Sequence, residues 1–136
     1  MKKMLIALAA VALLGCGGDS TGPAASAVGT WNLQTVDKAP LPYTVVFIAN
    51  PVYKLEILSD VFEVRADGTY TETFTERETD GTTVTTTSND DSGTWVQNNG
   101  ALTITSASDQ SVVSGAISGN TITVNTQGLV LVFKRQ

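Results

Sequence analysis

The sequence predicts an all-β domain, an up-and-down antiparallel β-barrel of about eight to ten strands. Three observations carry this. From residue 29 onward no stretch has the 3.6-residue apolar period of an amphipathic helix, while runs rich in Val, Ile, Thr, Tyr and Phe recur. The dipeptides Asp67-Gly68, Asp80-Gly81, Asn99-Gly100, Gly119-Asn120 and Gln127-Gly128 punctuate those runs, and short turns join neighbouring strands antiparallel. A meander of this length keeps two unpaired edges unless it closes on itself. A barrel removes both; a twisted two-sheet sandwich, the alternative, protects them in part.

The chain before residue 29 is of another kind. Lys2 and Lys3, the apolar run from Leu5 to Leu14, and Gly15 before Cys16 have the three-part form of a secretory signal. Ten apolar residues cover about 15 Å as helix, half of a bilayer's hydrocarbon core, so residues 1–15 are expected to be clipped off rather than to stay as a span. Leu13-Leu14-Gly15-Cys16 resembles the bacterial lipobox. The resemblance implies a lipoprotein: lipid transfer to the sulfur of Cys16, cleavage before it, and acylation of the new amino group with a fatty acid such as palmitate. Stable anchoring needs two lipid signals, each buried CH₂ adding about 0.8 kcal/mol, and this arrangement exceeds that. Gly17 in place of Asp implies an outer-membrane destination. Residues 16–28 read as the lipidated Cys and a flexible tether of roughly 20 Å mean reach, and residues 29–136 as the folded domain.

Charge narrows the partners. The net charge of −5 becomes −7 once Lys2 and Lys3 are removed, a poor match to nucleic acid or anionic headgroups. A single domain of this size buries roughly two thirds of its unfolded surface and needs no disulfide or metal to fold. With no His and one Cys committed to lipid, the chain offers no Ser/His/Asp, Cys/His or zinc constellation, so no catalytic residue, metal or cofactor is expected.

The strands follow in order. Trp31, Leu33 and Thr35 alternate with polar residues. Ala39-Pro40-Leu41-Pro42 reads as a stiff loop over one barrel end, a connection or a lid, since Pro cannot donate to a ladder. Tyr43 to Ala49 is mostly apolar, as a strand buried on both faces would be. Tyr53, Leu55 and Ile57 alternate, and a bulge at Ser59-Asp60 precedes Phe62 and Val64. Asp67-Gly68 reads as a two-residue type I′ turn, answered by Tyr70 to Thr79. Thr82 to Ser88, Gly93 to Gln97, Ala101 to Ser106, Ser111 to Ser118, Thr121 to Asn125 and Leu129 to Lys134 complete the set. Asn89 to Gly93 between two of them reads as a solvated hairpin turn, a calcium loop being the other reading of its oxygen-rich side chains.

Gly29-Thr30-Trp31 and Gly93-Thr94-Trp95 both have the form G-x-W. At the first, the sequence resembles the lipocalin family, whose first strand begins this way. The resemblance implies barrel closure by Trp31 beneath an Arg from the last strand, here Arg135, a cation–π contact of about 1 to 2 kcal/mol; Lys134 is the alternative partner.

A lipocalin-like interior holds side chains or one small apolar ligand. The residues expected to line it are Trp31, Phe47, Tyr53, Phe62, Tyr70, Phe74, Trp95 and Phe133. Glu72 joins them if Tyr70 and Phe74 face inward, because period 2 carries it with them, together with Glu76. A buried carboxylate then needs a wet cavity or a partner such as Arg65 or Arg77; otherwise these glutamates sit in water at the mouth. Two functions are expected on this basis. One is an anchored barrel that binds a small apolar ligand; the other is a structural or protein-interaction lipoprotein with a filled core. The spacing of Glu76 and Glu78 overlaps that of glycosidase carboxylates, but on a strand face that coincidence is common, and an enzyme is not expected.

Overall fold

The computed structural model describes residues 25–136, so the signal, Cys16 and the tether up to residue 24 lie outside the described residues. Ten strands follow one another: β1 (Gly29–Val36), β2 (Ala39–Pro40), β3 (Tyr43–Ala49), β4 (Val52–Val64), β5 (Thr69–Asp80), β6 (Thr83–Asn98), β7 (Ala101–Ser106), β8 (Val112–Ser118), β9 (Thr121–Thr126) and β10 (Leu129–Arg135). They pair in the order β2-β1-β10-β9-β8-β7-β6-β5-β4-β3, and β1 also pairs with β4. That last pairing, Gly29 with Val64 through Asn32 with Val61, closes eight strands into an antiparallel barrel. β2 and β3 are additions to it.

Closure explains the burial pattern. Along β7, β9 and β10, Leu102, Ile104, Ile122, Val124, Leu131 and Phe133 point into the barrel, and the residues between them face outward. Tight turns set the register. Asn99-Gly100 and Gln127-Gly128 take positive φ at both residues, the type I′ geometry whose twist matches the flanking strands.

Four local expectations need correction. Arg65 to Thr69 is not a two-residue turn: only Gly68 has positive φ, the Gly68 N–H donates to the Arg65 carbonyl, and the Asp67 carboxylate accepts from both the N–H and hydroxyl of Thr69. The Asp side chain thus completes a three-residue loop by bonding its own backbone two residues on. Asn89 to Gly93 is no turn either, because β6 runs unbroken through it, paired with Thr69 to Asp80 on β5. Tyr43 to Ala49 is not buried on both faces: β3 is an edge strand, with Val45, Val46, Phe47 and Ile48 exposed. Residues 25–28, which composition groups with the tether, pack on the barrel instead, and Ala27 is fully buried.

β7 stops at Ser106, opposite Gly93, and beyond the bond from the Ala107 N–H to the Ser92 carbonyl, Thr83 to Asp91 of β6 have no strand beside them on that side among the described residues. The hairpin of β5 and β6 therefore rises about 27 Å beyond Glu72 and Asp91. With the first half of β4 and with β3 it forms a blade standing above one end of the barrel. On the blade's outer face, Glu56 accepts from Lys54 at 2.5 Å and from Arg77 at 2.8 Å.

Candidate functional site

The two barrel ends differ. At one, Trp31 is fully buried, its indole N–H donates to the Ala27 carbonyl at 2.7 Å, and the Arg135 guanidinium lies 4.2 Å from the ring centroid. Arg135 also donates to the carbonyls of Ser26 and Val28, and Gln97 bonds Ala25 and Ala27, so residues 25–28 are strapped across this end. Lys134 points away and donates to Thr121 instead. Around Trp31, the side chains of Val64, Leu102, Ile122 and Phe133 leave room for about 10 Å³ only. This end is filled.

Toward the other end the barrel holds a cavity of about 190 Å³. Its apolar wall is Phe62, Ile104, Val113, Val124, Leu131 and Phe133. The Phe62 ring meets Phe133 edge-on at 5.3 Å and Tyr70 at 5.7 Å between centroids, an aromatic floor above the filled end. Its polar wall is Asp60 on β4, Tyr70 and Glu72 on β5, Asp91 on β6, and Ser106 and Ser111 flanking the β7–β8 loop. Outside, an open depression of about 640 Å³ between β6 and that loop is lined by Thr71, Thr73, Asp90, Ser92, Ala107 and Ser108, and shares Glu72 and Asp91 with the cavity.

A bulge decides which residues of β4 enter. The ladder to β5 slips between Ile57 and Ser59, leaving Leu58 as the extra residue. Parity therefore changes along the strand, and Asp60, Phe62 and Val64 turn inward on the same side as Ile57. Asp60 is 3% exposed, and among the described residues its Oδ1 has no hydrogen-bond partner. Burial, then the neighbouring Glu72, pushes its carboxyl up to about 9. Burial also raises Glu72, opposed by a hydrogen bond with Asp60. Asp91 is held differently. Burial works against its charge, but donation from Tyr70 at 2.7 Å, from Ser106 at 2.9 Å and from Ser108 outweighs it and keeps the carboxyl below its ordinary range. Burial and Asp91 push the Tyr70 phenol up, so it stays a donor.

Of the residues read from sequence as lining the interior, Phe62, Tyr70, Glu72 and Phe133 meet around the cavity. Trp31 belongs to the filled end, and Phe74 packs against the core without lining the space. Trp95 is half-buried and donates to the Arg65 carbonyl at the closed end. Tyr53 sits on the blade, opposite Asp80 and near Glu78, and neither it nor the pair Glu76 and Glu78 lines the cavity. Phe47 is 64% exposed, because β3 pairs it with Lys54 on the blade's outer face. Neither arginine partners Glu72: Arg65 bonds Glu63, Thr69 and Thr71 outside the barrel, and Arg77 bonds Glu56. Asp60 and Asp91 were missed. Counting back by two from Val64 and from Trp95 would have found both.

Among the described residues no cluster of His, Cys, Asp and Glu is spaced to hold a metal ion. No curated protein and no solved structure gives a match. The family model described as Lipocalin-like domain matches residues 28–131. That span runs from the residue before the strand that opens the barrel into the strand that closes it, and covers more than half of the chain; the chain therefore belongs to the lipocalin-like domain family.

Proposed function

We propose that this protein is a lipid-anchored envelope lipoprotein of the bacterial outer membrane whose barrel binds a small, largely apolar ligand. One observation carries the binding half: the barrel is solid at the Trp31 end, while a cavity of about 190 Å³ with an aromatic floor opens toward the other. The lipobox-like stretch before Cys16 supports the anchor. The described chain enters the barrel at its filled end, the end opposite the cavity. The protein is read as a carrier or sensor and not an enzyme, in keeping with a sequence that contains no His.

Native mass spectrometry of the protein extracted from membranes tests the binding half. A co-purified small molecule, or a melting shift with apolar compounds, is the expected result; repeated purification with neither contradicts it. For the anchor, Cys16→Ala is expected to move the protein from the membrane to the soluble fraction, and continued tight membrane association would refute it. The exposed apolar edge of β3 favours a second reading, a protein-interaction lipoprotein. Under that reading Phe47→Lys abolishes a pull-down that Glu72→Gln leaves intact.

A further inference from the structure

We propose that the cavity is built for a small organic cation, a primary or secondary amine on a compact apolar body, with its ammonium group held between Asp60 and Glu72. This deepens the small-ligand reading above and rests on it. The starting point is Asp60, almost wholly buried and aimed into the cavity, with an oxygen that no donor of the described residues reaches. A buried polar atom left so costs free energy that a ligand's donor would recover.

What faces that oxygen fixes the sign of the ligand. Glu72 stands beside it on β5, and Asp91 follows on β6 with both oxygens already accepting from Tyr70, Ser106 and Ser108. The elements that complete the wall, β7 to β10, present Ile104, Ser106, Ser111, Val113, Val124, Thr126, Leu131 and Phe133, and no charge. Among the described residues no Lys or Arg lines the space: Arg65 and Arg77 are engaged outside and Arg135 caps the far end. The acidic wall is thus uncompensated. An ammonium brings three donors and the missing charge, whereas a carboxylate or phosphate would meet like charge in a low-dielectric site. The acidic groups are not arranged as metal ligands.

Size and lining set the rest. An apolar cavity of about 150 Å³ admits a benzene ring, so 190 Å³ takes a ring or branched chain with a short amine arm. The rings of Phe62, Tyr70 and Phe133 supply both an apolar surface and π faces that favour a cation.

Calorimetry on the purified full chain with three near-isosteric probes decides the matter: 2-phenylethylamine, 2-phenylethanol and 3-phenylpropionate. The amine is expected to bind at least about tenfold tighter than the alcohol, and the acid not to bind. Glu72→Gln and Asp60→Asn are each expected to lose about tenfold for the amine while the alcohol changes little, a comparison that also reports whether the variant has folded. Equal or tighter binding of the alcohol by the unaltered protein overturns the cation and leaves the small-ligand reading standing. No binding of any probe at millimolar concentration overturns both.

Discussion

At Gly29 the backbone takes φ +140°, and a Cβ there would stand 2.6 Å from Nη1 of Arg135, the guanidinium that stacks on Trp31. Glycine at this position is therefore a condition of the stack. Gly29→Ala is expected to cost roughly 1 to 3 kcal/mol in urea unfolding, and an unchanged midpoint would contradict the assignment. At Gly93 the constraint is tighter, because a Cβ would meet the Thr105 carbonyl at 2.0 Å and the Tyr70 ring at 2.9 Å. Asp60 acts on stability through pH. Its folded carboxyl is raised to about 9, above its unfolded value, so its contribution is fully present below about pH 4 and is lost as pH rises toward 9. Asp91 is depressed by its donors and runs the other way, its contribution present above about pH 4 and lost below. The wild-type protein is thus expected to gain stability as pH falls from 9 to 5, and Asp60→Asn to flatten that slope. Denaturant midpoints measured across this range check it; parallel slopes in both proteins would contradict it.

At the scale of elements, the sequence shows most clearly those strands whose two faces keep one environment from end to end. β7, β9 and β10 alternate because one face is core and the other solvent, and their turns carry residues that tolerate positive φ, whereas β1 alternates only as far as Leu33, after which a bulge buries Val36 in place of Thr35. β6 is different. Its first half leaves the barrel and is wet on both faces, so alternation disappears, and Asn89-Asp90-Asp91-Ser92 looks like a turn although it is paired throughout. The bulge at Leu58 hides Asp60 in the same way, since a fixed period counted from Ile57 passes over it. The apolar composition of β3 is equally misleading, because this edge strand on the blade is covered by nothing among the described residues. Two substitutions separate blade from barrel. Phe47→Lys is expected to change unfolding free energy by less than about 0.5 kcal/mol and to reduce aggregation, whereas Phe133→Ala is expected to cost about 3 to 5 kcal/mol. Comparable losses at both positions would contradict the burial described.

The molecule as a whole divides its labour between two ends. Residues 25–28, Trp31, Gln97 and Arg135 seal one, and packing there supplies rigidity. The other end forgoes packing around Asp60, Glu72 and Asp91, where buried carboxyls cost stability, and such a cost is kept where a cavity has a use. Arg135→Ala is accordingly expected to lower stability by about 1 to 2 kcal/mol while leaving ligand affinity unchanged; lost affinity without lost stability would reverse the roles of the two ends. The central claim is that the space between Phe62, Tyr70, Glu72, Ser106 and Phe133 receives a small molecule. Its most direct test is a heteronuclear NMR titration of the purified protein with 2-phenylethylamine. The account predicts saturable shifts centred on those five residues and on Asp60. Shifts confined to β3 or to the Trp31 end, or none at all, would contradict it.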